Sequence, residues 1–325
     1  MESDTKEALF CYEGWKAYQP FNVYWAEQQA ILHSEFRDGN VPAGHQVTRV
    51  MKDALECLPP GVERVFVRQD TAAYQTEFLA WCEREREHPK YGRILFTVSA
   101  DMSQELRAEI VKTTEWKPLM RTVKGKSTPT GQEYADVLFV PQEQALLRDI
   151  PEPFVYIAIR EKMHSQLSLL ESEPDAGSSA GPAVTMGNVR YKVRAIVTNR
   201  RADDLGELIR WHYERCGKSE EVHSVMKSDL AGGQLPSGLF GANAAWWALT
   251  IIAHNLNAAM KRLVLGKEWA TKRMKSLRLR LIGLPGRVIR HARQLIIRLG
   301  AEAQVLEMII TARQTIRALA CGPAG

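Results

Sequence analysis

The chain predicts an α/β protein built on a mixed sheet. Three observations carry that expectation: the order of apolar segments in the first hundred residues, a composition suited to a large core, and the lack of a segment suited to a bilayer. Asn22-Val-Tyr-Trp25 and Ala30-Ile-Leu-His-Ser-Glu-Phe36 read as two short strands, followed by the turn-like Arg37-Asp-Gly-Asn40. Gln46 to Cys57 has helical spacing through Val47, Val50, Met51 and Leu55, and Pro59-Pro60-Gly61 stops it. Arg64-Val-Phe-Val-Arg68 is a compact strand ending at Asp70. Thr71 to Glu87 follows as a helix, and Gly92-Arg-Ile-Leu-Phe-Thr-Val-Ser99 as a buried strand. The order strand, strand, helix, strand, helix, strand predicts a mixed sheet with a hairpin at its start.

The 325 residues are 45% apolar and 25% charged, enough to bury a substantial core. Eight Trp and nine Phe carry too much apolar surface for a disordered chain. The five cysteines are odd in number and scattered, which fits thiols in a reducing cytoplasm rather than a disulfide framework or zinc site. Met1-Glu-Ser-Asp-Thr-Lys-Glu7 has no secretory character. The most apolar stretch, between Asn243 and His254, falls short of the roughly 20 residues a bilayer needs. It is expected to be a buried helix in a soluble protein without a membrane partner.

Beyond residue 101 the pattern changes. Residues 102–190, with short apolar runs such as Val137-Leu-Phe-Val140 among polar turns, read as a β-rich insertion, and a flexible linker is expected from Ser172 to Pro182. Tyr191 to Thr198 is a strand, Asp203 to Leu230 a helix, and from Leu239 the chain reads mostly helical. Val305, Leu306, Ile309, Ile310 and Ile316 predict an amphipathic helix near the end. The expected organisation is therefore 1–101 and 191–265 as two parts of a core, 102–190 as the insertion, and 266–325 as a basic helical region.

Charge is unevenly placed. From Lys261 to Arg298 there are twelve basic residues and one acid, Glu268, so this segment carries +11 in a chain of net charge +5. Such asymmetry suits a polyanion, since each Lys or Arg that meets a phosphate releases counterions. A solvated basic face is the plainer alternative. A membrane-surface helix fits less well, because Pro285-Gly286 interrupts the run.

In the segment from Trp211 to Leu230, 100° per residue places Glu220, Ser224 and Lys227 on one side, with His223 at its edge. Val222, Val225 and Met226 fall on the other side, and Tyr213 and Cys216 join the polar side one turn or more earlier. Alone, these are charges on a solvated helix, and Asp70 alone is an N-cap. Gly-rich phosphate loops are absent, and His223, His254 and His291 lack metal-ligand spacing.

Together these blocks resemble the DDE transposases of bacterial insertion sequences, in the branch whose signature is Tyr, two residues, Arg, three residues, Glu, six residues, Lys. Tyr213, Glu220 and Lys227 match it, Cys216 stands at the Arg position, and Arg215 lies one step away. Val65-Phe-Val-Arg-Gln-Asp70 resembles the strand bearing the family's second catalytic Asp. Phe36-Arg-Asp-Gly-Asn40, Leu235-Pro-Ser-Gly-Leu-Phe-Gly-Ala-Asn243 and Leu284-Pro-Gly-Arg-Val288 also resemble the branch.

The resemblance implies a ribonuclease H-like core and DNA transposition by metal-dependent strand cleavage and transfer. Three carboxylates would hold two Mg²⁺ (or Mn²⁺) ions, and Asp70 and Glu220 supply two of the three. Tyr213 and Lys227 would contact DNA phosphates, and Arg215, Arg278, Arg280 and Arg287 are further DNA candidates. Partners would be the element's terminal repeats and target DNA, in a cytoplasmic, nucleoid-associated protein, with room for a homo-oligomer. The family's first Asp is expected upstream of Met1, which predicts a truncated, inactive enzyme. The alternative expectation is a non-catalytic DNA-binding remnant or structural fragment.

Overall fold

A computed structural model describes residues 7–123, 125–145, 149–150, 152–163 and 182–320. Of the expected linker only Pro182 is among them. The chain divides into two compact units, one of Cys11–Gly14 and Asn40–Lys218, the other of Met1–Phe10, Trp15–Gly39 and Ser219–Gly325. The first hairpin, β1 (Phe21–Trp25) and β2 (Ala30–Glu35), belongs to the second of these.

The larger sheet lies in the unit of residues 40–218. After α1 (Val47–Leu55) come β3 (Arg64–Gln69), α2 (Thr76–Arg84), β4 (Arg93–Ser99) and α3 (Gln104–Lys112). Then follow β5 (Lys117–Val123), β6 (Lys126–Val137), the short α4 (Gln142–Ala145), β7 (Val155–Lys162), β8 (Ala183–Met186) and β9 (Val189–Thr198). The order is β3-β4-β9-β7-β6-β5, with β8 also paired to β9, and only β3 and β4 run parallel. The strands expected as an insertion thus continue the sheet of β3 and β4 through β9. The apolar run at Val137 ends with the sheet, and Leu138 is almost wholly exposed.

Helix α5 (Leu205–Ser224) lies on this sheet because Leu208 and Ile209 are apolar neighbours on one side of it. They pack with Leu119, Ile157, Ile159 and Ile196. A buried carboxylate, Glu83, ties α2 to the end of β9: Asn199 Nδ2 donates to it at 3.0 Å, while Asn199 Oδ1 accepts the Phe96 N–H at 2.9 Å. Gly92, where the chain enters β4, has φ +60°, and a Cβ there would lie 1.9 Å from the Glu63 carbonyl oxygen. Only glycine fits this approach.

In the second unit, β1 and β2 form their own two-stranded sheet, so the hairpin expected to open the mixed sheet is not hydrogen-bonded into it. A helix, α6 (Phe240–Met260), accounts for its anchoring. Asn255 accepts the Ile31 N–H at 2.8 Å and donates to the Ile31 carbonyl at 2.9 Å, so a side chain occupies the edge of β2 where another strand would pair. Ile31, Met226 and Trp247 form the core beneath it, with Val222, Tyr24 and Phe36 packed around.

The expectation of a buried helix over residues 243–254 needs correction. The buried face of α6 holds Asn243, Trp247, Thr250, His254, Asn257 and Ala258, whereas Leu249, Ile252 and Leu256 are 59%, 55% and 65% exposed. No described helix is long and apolar enough to cross a membrane.

The C-terminal region is only partly helical. A short α7 (Met274–Leu277) and α8 (Ala303–Ala320) flank an antiparallel hairpin of β10 (Gly286–His291) and β11 (Gln294–Leu299). Val288, Ile289, Ile296 and Ile297 are β-branched and favour strand, and Pro285 cannot continue a helix. The two-residue turn Ala292-Arg293 has φ +47° and +62°, the backbone that closes a tight hairpin. The helical region expected over residues 266–325 is thus corrected, from Gly286 to Leu299, to a strand pair.

Candidate functional site

Asp70 follows directly on β3, at the carboxyl end of the sheet's parallel pair, where ligands of α/β sheets commonly bind. Its Oδ1 accepts the Ala72 N–H at 3.1 Å and caps the short turn Thr71–Ala73. Its Oδ2 stands 3.7 Å from an Nη of Arg215, and the Asp70 side chain is 59% exposed. One oxygen therefore serves the backbone, while the other holds a cation loosely and faces solvent. Exposed carboxylate oxygens of this kind suit a hard divalent ion, which would displace Arg215 rather than compete with a buried network.

Asp101 is an acid that the sequence patterns above do not single out. It lies two residues beyond the end of β4, the parallel neighbour of β3, and is likewise exposed. Tyr74 lies nearby: burial raises its phenol pKa, and the Asp101 carboxylate adds to the effect. The signal that could have found Asp101 resembles the one that marks Asp70, an acid within two residues of the end of an apolar strand.

On α5, Arg215 faces Asp70, and Cys216 is exposed. Tyr213 does not join the polar side predicted for it. It packs against the sheet core beneath the Arg194 guanidinium at 5.3 Å, and burial raises its phenol pKa. His212 is fully buried, with Nδ1 2.9 Å from Thr97 Oγ1 and Nε2 3.0 Å from Ser99 Oγ, both on β4. Burial holds its pKa down at about 3, with Arg215 and Arg68 reinforcing the effect.

Glu220 and Lys227 lie in the second unit and are both exposed. Met226 and Val225 are buried and Val222 half-buried, so this apolar stripe meets the β1–β2 hairpin and α6. After Ser224 the helix widens into a π turn over Val225–Asp229, with the Leu230 N–H donating to the Val225 carbonyl at 3.0 Å. Lys227 sits inside that turn, a feature often found at functional positions. Glu221 acts locally too: Tyr24 is pushed up to about 12 by burial, with the Glu221 carboxylate adding to the effect.

The basic segment is not uniformly free. Asp229, which no sequence spacing marks, is buried and takes a two-pronged contact from Arg273, Nε to Oδ2 at 3.1 Å and Nη2 to Oδ1 at 3.0 Å, with Lys275 3.8 Å away. Lys261 is buried as well and donates to the Lys272 carbonyl, and burial lowers its pKa. These cations hold the unit together. Arg278 and Arg280, in a further π turn, and Arg287 on β10 are exposed. The structure thus joins Asp70 to Arg215, keeps Tyr213 in the core, and leaves Glu220, Lys227, Arg278, Arg280 and Arg287 at the surface of the other unit.

Residues 183–321 match the family model described as transposase DDE domain group 1. This match, which runs from β8 through α8, supports a DDE transposase. No curated protein matches the chain.

Proposed function

We propose that the chain is the catalytic part of a DNA transposase, with Asp70 and Glu220 as metal-binding carboxylates and duplex DNA as substrate. The observation that carries this reading is the family match over 183–321, the stretch that contains Glu220 and Lys227. The exposed position of Asp70 at the end of β3 adds to it. Bound Mg²⁺ or Mn²⁺ would supply activation of a nucleophilic oxygen and stabilisation of the departing one. The chain's own residues would do the rest. Asp70 and Glu220 would hold the ions, Lys227 would meet DNA phosphate, and Arg215 would balance the Asp70 charge until a cation takes its place. Tyr213 would act on DNA by fixing this part of α5 against the sheet.

In this reading the protein works on element ends and target DNA as a homo-oligomer within the nucleoid. Two carboxylates of an implied set of three are assigned, so strand cleavage by this polypeptide should be weak. A second reading, a DNA-binding protein without chemistry, is favoured by the engagement of Asp70 as a turn cap and ion-pair partner. Cleavage of terminal-repeat DNA with Mg²⁺ or Mn²⁺ separates the two. Metal-dependent cutting, however weak, that disappears in Asp70→Asn and in Glu220→Gln while DNA binding is retained supports the enzyme. Binding without any cutting, unchanged by either substitution, leaves the second reading.

A further inference from the structure

The hairpin of β10 and β11 is built unlike the rest of the protein. Its strands pair over six positions, Gly286 with Leu299 through His291 with Gln294, and the Gly300 N–H closes the base on the Pro285 carbonyl at 2.7 Å. Only Ile289, Ile296 and Leu299 are half-buried; every other residue of the two strands and the turn is exposed. Two-stranded hairpins are at best marginally stable in water without a covering layer. The stretch between Glu268 and Glu302 contains no acidic residue, so Arg287, Arg290, Arg293 and Arg298 have no acid close by in sequence.

Cross-strand partners share a face. One face carries Arg287 opposite Arg298, Ile289 opposite Ile296, and His291 opposite Gln294. The other carries Val288 opposite Ile297, Arg290 opposite Leu295, and Gly286 opposite Leu299. Like charges set directly across a strand pair repel, and an anion between them reverses the sign of that interaction. Arg287 and Arg298 are such a pair. Beyond them on the same face, His291 and Gln294 can donate and accept hydrogen bonds.

We infer that β10–β11 is a ribbon that enters the major groove of duplex DNA, with the face of Arg287, Arg298, His291 and Gln294 turned inward. The inference rests on the reading of the chain as a DNA-acting protein and names the surface involved. Size supports it: strands about 4.8 Å apart, with side chains added, suit a groove about 12 Å wide and not one of about 6 Å. Six residues per strand reach roughly 20 Å along it. Arg287 and Arg298 take phosphates at the base of the ribbon, and Gln294 reaches base edges near its tip.

The test uses the full chain and a 30-base-pair duplex, without divalent metal, over salt from 50 to 200 mM. Arg287→Gln combined with Arg298→Gln should weaken binding and flatten the slope of log affinity against log salt by about 1.8, at about 0.9 for each phosphate no longer neutralised. Arg290→Gln, on the opposite face of the same ribbon, should leave the slope unchanged to within about 0.4, less than half the share of one phosphate. Circular dichroism checks that each variant is folded. Methylation of guanine N7, which fills the major groove, should interfere with binding. An unchanged slope in the double variant, an equal flattening in Arg290→Gln, or interference by minor-groove adenine methylation alone would each overturn the ribbon. Because the assay omits metal, its outcome is separate from cleavage. Duplex binding indifferent to the ribbon sinks this inference alone, whereas no duplex binding at all sinks the transposase reading with it.

Discussion

Lowering the pH should unlock α5 from the sheet through His212. The ring is 1% exposed and sits between two hydroxyls of β4, at 2.9 and 3.0 Å. Its pKa falls to about 3, chiefly through burial, against about 6.5 in an unfolded chain. The folded state therefore keeps the imidazole neutral while the unfolded state takes up a proton, and stability rises with pH between those two values. The contribution is complete above the unfolded pKa and is lost as pH falls from about 6.5 toward about 3. Each pH unit inside that window changes stability by up to about 1.4 kcal/mol, so the step from pH 6.5 to pH 4.5 costs about 2 kcal/mol. Urea denaturation at a series of pH values measures this. His212→Gln keeps a donor and an acceptor between Thr97 and Ser99 and cannot titrate. Its stability relative to the parent chain should improve by about 2 kcal/mol across that step. A difference that stays flat with pH would refute the reasoning, because it would mean that the ring is already solvated or charged in the folded protein.

Gly92→Ala should destabilise the sheet unit by about 2 kcal/mol or more, since a positive φ costs a side-chain-bearing residue about 1–2 kcal/mol before the clash with Glu63 is counted. Thermal unfolding would register it as a lower midpoint, and an unchanged midpoint would mean the approach relaxes freely. Asp229→Asn should lower the stability of the other unit by about 2 kcal/mol, because Arg273 gives up a charge-assisted pair whose carboxylate is buried. High salt should not rescue that variant, as screening acts weakly on a buried partner.

Much of the architecture is legible in local pattern. The apolar run from Arg64 to Arg68 and the one beginning at Arg93 become the parallel strands β3 and β4, and the 3.6-residue spacing of Val47, Val50, Met51 and Leu55 becomes the buried face of α1. Glu220 is proposed from its spacing to Tyr213 and Lys227, and Asp70 from the apolar strand it follows, both features of a linear text. Asp229 escapes such a reading because its partners, Arg273 and Lys275, lie more than forty residues away and no period links them. Tyr213 falls on the wrong side of a helical wheel because the wheel knows spacing but not which side faces a sheet. The same limit applies to α6, whose inward side sets Trp247 among the polar Asn243, Thr250, His254 and Asn257.

By itself, then, the sequence determined the elements that depend on neighbours within a turn or a strand: periodic helices, β-branched strands, the excess of cations after Lys261. Tertiary structure alone decided which strands pair across the larger sheet, that Asn255 closes the edge of β2, and that Arg215 turns to Asp70. The physical reason is range. Propensity and periodicity act between residues a few places apart, whereas hydrogen-bond closure of an edge, burial of a ring and pairing of a charge depend on groups that only the folded chain brings together.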